Sequence, residues 1–193
     1  MRSTPNTKHS PVRPFKTKEP RKTTLWSWDK EALNADQALD TEQACKILNE
    51  TLRSELFHFL RYRHHEIATK GTNFPLVAAE FKALAENEET NMIMIAERIN
   101  QLGGKADFNT METSDRSFTE TDTTSDLISM LREDLIAERI AIGVYKKLIQ
   151  SFEMSDPTTR YLLEKILGDE ETHARGMAEL LSTVDRHQQE FHS

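Results

Sequence analysis

The chain has 193 residues, 37 % of them hydrophobic and 30 % charged, with six glycines, six prolines, one cysteine and a net charge of −7. That length fills one core without requiring a second domain, and so little glycine and proline suits long helices. The acidic balance argues against nucleic acid as a partner of the chain as a whole, the lone Cys45 excludes an internal disulfide, and no apolar run reaches the ~20 residues of a membrane span.

The charge is uneven. Residues 1–24 hold seven basic side chains against the single acid Glu19, and four of the six prolines. A segment so poor in apolar side chains cannot offset its ordering entropy, and residues 1–39 are expected to form a basic, disordered extension ahead of a helical domain over 40–193. The stretch "TLWSWDKE" (24–31) is expected either to dock loosely through Trp26 and Trp28 or simply to lie on the surface. Basic residues without an apolar stretch behind them do not make a secretory signal, so with no disulfide the expected location is the cytoplasm.

From Asp40 the sequence carries four helical patterns. The first starts at Asp40 or Thr41, with Gln43 placed for a capping box, and ends before Gly71. The second opens at Pro75 and runs to the Gly103-Gly104 stop. The third follows the Thr/Ser cluster at 123–125 and reaches about Glu153; the fourth opens at Asp156-Pro157 and reaches about Asp185. Short connections within each pair predict antiparallel hairpins, whereas the polar stretch 104–123 is long enough to cross the molecule. The expected fold is all-α: an antiparallel four-helix bundle with one long crossover between the second and third helices. Cys45 reads as a small helix-packing residue.

Steps of three and four residues give each helix a core-facing row. The rows are Leu48, Leu52, Glu55, Phe59, Tyr62; Val77, Phe81, Leu84, Glu88, Asn91, Ile95; Ile128, Leu131, Leu135, Glu138, Ile142, Tyr145; and Leu163, Ile166, Glu170, His173, Met177, Leu180. Every row is apolar until its middle, where a glutamate appears. Antiparallel helices of similar length, rising ~1.5 Å per residue, bring their midpoints to one level, so four carboxylates should meet in one layer. Ionised and unpaired there, each would cost several kcal/mol. No Lys or Arg stands at the adjacent core positions of the first, third or fourth helix, and Arg98 is about two turns away on the second. Two divalent cations match the charge and suit carboxylate and imidazole ligands, which makes Glu170 and His173, one turn apart, a metal-binding pair.

The constellation resembles the di-iron carboxylate site of the ferritin-like superfamily, and bacterioferritins most closely. That family sets one glutamate on each of two helices and Glu-x-x-His on each of the other two. Glu55 in "LRSELFHFLRY" and Glu138 in "DLIAERIA" look like the single glutamates, Glu170 and His173 in "DEETHA" like an intact pair, and "ENEETNMIMIAERINQLGG" like the other paired helix. The resemblance spans about residues 41–185. It implies that Glu88 and Glu170 bridge two irons, that Glu55 is terminal on the first and Glu138 with His173 on the second, and that Tyr62 lies beside the site. Two departures stand out. Asn91 replaces the second helix's histidine, which implies a weaker first iron position; His58, one turn beyond Glu55, reads more simply as a surface or edge histidine than as a substitute. Glu89 stands where bacterioferritins place their haem-ligating methionine, so no haem is expected.

The resemblance therefore implies a ferroxidase: Fe(II) oxidised by O2 or H2O2 at an intra-subunit di-iron site, with the mineral held in a hollow homo-oligomer for iron storage and detoxification. Only about twenty residues follow His173, so the short fifth helix of 24-subunit ferritins is not expected, which favours twelve subunits. Lys8, Arg13, Lys16, Lys18, Arg21 and Lys22, together with Arg2, resemble the basic tails of DNA-protecting mini-ferritins (Dps-like) and make DNA binding an alternative. A non-storage di-metal oxidase or manganese catalase is a second alternative. His64, His65, His187 and His192 are expected on the surface, and Glu86, Glu133 and Asp134 as exposed charges off the core face.

Overall fold

The structure, a computed structural model, describes residues 39–70, 75–109 and 127–191, with side chains to 186. The basic extension with its two tryptophans, most of the crossover, the side chain of His187, and His192 fall outside that description. Among the described residues there are four helices and no strands: α1 (Thr41–Thr69), α2 (Pro75–Gln101), α3 (Leu127–Phe152) and α4 (Pro157–Phe191). None is long and apolar enough to cross a membrane.

The helix ends follow from local chemistry. Asp40 accepts from the Gln43 backbone N–H at 2.8 Å, and Gln43 accepts from the Asp40 N–H at 3.3 Å, so the capping box is closed from both sides. Helix α2 stops in a Schellman turn: Gly103 adopts φ +81°, its N–H reaches the Asn100 carbonyl, and the Gly104 N–H reaches the Ile99 carbonyl. A side chain at Gly104 would meet Cys45 Sγ at 2.6 Å, so Cys45 is indeed a packing residue at a tight approach. The chain beyond is strapped to α1, where Asn49 donates to the Lys105 carbonyl and accepts from the Asp107 N–H. Asp156 caps α4 through the Thr159 N–H at 3.0 Å, and Arg98 binds both its oxygens at 2.9 and 2.8 Å, tying the end of α2 to the start of α4. Helix α4 continues one to two turns past the expected end near Asp185, because nothing between 185 and 191 breaks it.

Helices α1 and α2 pack as one hairpin and α3 and α4 as another. Their buried apolar residues form two cores at different heights. One gathers Leu48, Leu52, Ile95, Ile99, Tyr145, Leu148, Phe152, Leu163 and Ile166. The other gathers Tyr62, Val77, Phe81, Leu84, Leu127, Leu131, Leu135, Met177 and Val184. Followed along α1 and α4 the first core precedes the second, and along α2 and α3 the order reverses, as antiparallel neighbours require. The level between the cores falls at 55–58, 88–91, 138 and 170–173.

Replacing Asp156 by Ala removes a cap and leaves Arg98 without its partner. It should lower unfolding stability by about 2 kcal/mol in urea titration, with the helical circular dichroism of the folded protein unchanged.

Candidate metal centre

The level between the two apolar cores is polar and closed to water. Glu55, His58, Glu88, Asn91, Glu138 and Glu170 are all 0 % exposed, and His173 is 7 % exposed. These residues stand where leucine would serve a simple bundle, since each lies on the same three-four step as the apolar residues before and after it.

One donor atom from each of Glu88, Glu138, Glu170 and His173 lies within 4.8 Å of the others, and the same holds for Glu55, His58 and Glu88. Glu88 is common to both sets. Two phenols brace the layer. Tyr62 Oη donates to Glu138 Oε1 in a short hydrogen bond, and Tyr145 Oη donates to Glu55 Oε1 at 2.6 Å. Each tyrosine occupies one oxygen of a carboxylate and leaves the other directed elsewhere. Those remaining atoms lack hydrogen-bond partners: Glu55 Oε2, Glu138 Oε2, both oxygens of Glu88 and Glu170, Asn91 Oδ1 and His173 Nδ1, with both ring nitrogens of His58. His173 Nδ1 is 3.3 Å from Glu88 Oε1 and 4.0 Å from Glu138 Oε2 without bonding to either. Orphaned buried groups cost ~1–3 kcal/mol each, so native proteins avoid them unless something else satisfies them. Carboxylate oxygens and imidazole nitrogens converging from four helices fit two first-row divalent cations, and the resident groups therefore suit iron.

The electrostatics say the same. Burial pushes the Glu55 carboxyl up to about 7, partly offset by the proximity of Glu88 and the hydrogen bond from Tyr145. Burial, then repulsion from neighbouring carboxylates, holds Glu88 and Glu170 well above the usual carboxylate range. Burial also lifts Tyr62 and Tyr145 and lowers His58, so both phenols keep their protons as donors and the His58 ring is neutral with a lone pair to offer.

All six carboxylate, amide and imidazole residues expected at the site from the sequence, and Tyr62, share this layer. Three expectations fail. His58 is fully buried within the layer rather than at the surface. His65 and Asp134 are buried together, with His65 Nδ1 2.8 Å from Asp134 Oδ2 and Arg61 Nε 2.5 Å from Asp134 Oδ1. A buried aspartate between a guanidinium and an imidazole is tolerated because its partners come with it; periodicity within a single helix does not show this pairing across α1 and α3. His64, Glu86 and Glu133 are exposed as expected. Tyr145 is the residue of this layer that the sequence reading gave no part in the site, since it appears there only as the end of an apolar row. A signal was present: Glu55 and Tyr62 are seven residues apart on α1, Glu138 and Tyr145 seven apart on α3, and the two bonds cross between those helices.

The sequence model for the ferritin-like domain (Ferritin) matches residues 45–187. The chain belongs to the ferritin-like family. Its curated relatives include the nutrient stress-induced DNA-binding proteins of Synechococcus sp., 29 % identical over 74 % of this chain and 82 % of the relative, and of Nostoc sp., 30 % identical over 70 % and 75 %. Among solved structures, the bacterioferritin-related protein of Bacteroides fragilis, described as a dodecameric thioferritin, superposes with TM-score 0.70. It is 25 % identical and covers 83 % of this ferritin-like chain and 97 % of its own. The Desulfovibrio desulfuricans bacterioferritin, whose di-iron site has been seen in several catalytic states, shares the fold at TM-score 0.67 and 20 % identity, covering 76 % and 82 %.

The raised carboxyls make the metal-free fold pH-sensitive. For Glu55 the contribution to stability is intact below the ordinary carboxyl value of about 4.5 and is lost as pH rises from there through about 7, because the unfolded chain ionises first; Glu88 and Glu170 act in the same direction. Bound cations remove that loss. The rise in melting temperature produced by a saturating divalent metal should therefore be small near pH 5 and grow steadily to pH 8. A metal-induced rise that does not vary with pH would place binding outside the buried layer.

Proposed function

We propose that this protein oxidises Fe(II) at a di-iron ferroxidase site and stores the Fe(III) product inside an oligomeric shell. The observation that carries the reading is the set of unpartnered oxygen and nitrogen donors in a water-free layer shared by all four helices. Iron is the substrate. Each Fe(II) gives up one electron, and a pair of ions reduces O2 to H2O2 with two protons, or H2O2 to two waters.

The chain's own residues bind and hold. Glu88, with a donor atom in each of the two ligand sets, is placed to bridge them. Glu55 serves the first position, and Glu138 with His173 the second. Glu170 lies with the second set and completes the charge. Tyr62 and Tyr145 fix one oxygen of Glu138 and of Glu55, so neither carboxylate must be reoriented when an ion arrives. Protons held by Glu55, Glu88 and Glu170 leave as cations enter, which keeps the layer's net charge small.

Self-association is supported by large apolar side chains left exposed on the monomer, among them Leu76, Ile67, Tyr161 and Ile136. The dodecameric assembly described for the Bacteroides fragilis protein favours twelve subunits here as well. A second reading, DNA binding, is favoured by the names of the cyanobacterial relatives together with Lys8, Arg13, Lys16, Lys18, Arg21 and Lys22 in the basic extension over residues 1–39. Many such tails on one shell can bind phosphates although each subunit is acidic. A cytoplasmic location suits both readings.

Replacing Glu138 or Glu170 by Ala should slow Fe(II) oxidation at least ~100-fold in stopped-flow absorbance while the folded helical signal is kept. Unchanged kinetics in both variants would remove the site from consideration. For the second reading, retardation of duplex DNA in gels should weaken with salt and vanish when residues 1–24 are deleted. Retardation that survives the deletion argues against the tail.

A further inference from the structure

The bundle carries an internal two-fold pattern that one position breaks. Helices α1 and α3 each present a glutamate followed seven residues later by a tyrosine, Glu55/Tyr62 and Glu138/Tyr145, and the tyrosines reach across to each other's glutamate. Helices α2 and α4 each present a glutamate with a polar residue one turn on: Glu88 with Asn91, and Glu170 with His173. Under that pattern the second half has its imidazole on α4, and the first half lacks the equivalent on α2. The missing ring is nevertheless in the first half, one helix over. His58 stands three residues after Glu55, while the corresponding residue of α3, three after Glu138, is Ala141.

His58 is not there as packing. It is fully buried, neither ring nitrogen has a hydrogen-bond partner, and a ring nitrogen lies within 4.8 Å of donor oxygens of Glu55 and Glu88. Asn91 also keeps one orphaned atom, Oδ1, but its amide nitrogen is taken up by Asn87 Oδ1 at 3.3 Å and a neutral amide oxygen is a weaker donor to a first-row cation than imidazole. A buried imidazole with both nitrogens unsatisfied is costly unless it meets a cation or a proton donor. A neutral imidazole beside two carboxylates also has the donor chemistry of a first-row metal position.

We propose that His58 supplies the imidazole ligand of the first metal position, on α1 in place of the ligand that α2 would carry at Asn91. This rests on the di-metal reading above and sharpens it: each position then has one imidazole, and the asparagine does not disable the first. It also makes the two positions unlike in architecture, since one takes its imidazole from the helix that carries Glu55 and the other takes its imidazole from α4 rather than from the helix that carries Glu138.

Anaerobic titration of the intact protein with Co(II), read by visible absorption and equilibrium dialysis, tests the assignment without turnover. The wild-type protein should bind two Co(II) per subunit, and Asn91→Ala should keep both within about threefold of wild-type affinity. His58→Ala should weaken one position at least about tenfold, and His58→Ala/Asn91→His should restore it. Cobalt-edge X-ray absorption should show about one imidazole per metal in the wild type and in the double variant. The rescue separates ligation from folding, because a merely packing histidine would not be replaced by one introduced on α2. Two tight positions in His58→Ala, or loss in Asn91→Ala with none in His58→Ala, would overturn the proposal. Failure of the underlying reading looks different: two tight Co(II) positions that persist in Glu88→Ala, which removes the carboxylate common to both sets, would show the metal to be elsewhere, and the proposal would fall with it.

Discussion

Repulsion among buried carboxylates is the constraint on which the rest of this molecule depends. Donor oxygens of Glu88, Glu138 and Glu170 lie within 4.8 Å of one another. At an effective dielectric constant of about 20, each fully ionised pair at that distance costs roughly 3 kcal/mol, so three pairs approach the whole stability of an ordinary domain. The bundle therefore holds the layer in one of two ways: with protons, as the raised carboxyls of Glu55, Glu88 and Glu170 show, or with cations. On the di-metal reading proposed above, a fold that tolerates the first state and gains from the second would exchange protons for metal.

The apolar cores above and below make that exchange specific. They seal the layer from water, so the donors gain no solvation by turning away, and they fix the helices so that the donors stay at one height. The crossed tyrosine bonds do the same from within. Tyr62 and Tyr145 each tie α1 to α3, and each removes one rotational choice from a glutamate. The capping and strapping contacts at the far ends, Asp156 with Arg98 and Asn49 with the chain after α2, hold the register on which this alignment relies.

Much of this was legible in the residues themselves. Four glutamates interrupting four apolar rows at mid-helix already dictated a shared layer, because three-four periodicity fixes the face and antiparallel packing fixes the height. Helix ends were readable where a local residue signal marks them, as with the capping side chains of Asp40 and Asp156, the first-turn Pro75 and the positive-φ Gly103; the end of α4 was not, since no breaker marks it. His58, His65 and Asp134 were misread for a common reason. Each is polar and lies off the chosen row, and its burial is decided by a neighbouring helix, which one-helix periodicity does not see. Arg61 and His65 on α1 bury Asp134 of α3, and the layer's own carboxylates surround His58. Tyr145 was placed correctly and valued wrongly, because its ring reads as core while its hydroxyl serves Glu55.

The account is tested most directly by crystals grown with Fe(II) under anaerobic conditions and measured on both sides of the iron absorption edge. It predicts two anomalous peaks per subunit between the apolar cores, both within bonding distance of Glu88, one beside Glu55 and the other beside His173. Iron found only on the protein surface, with the four glutamates closed on one another, would contradict it.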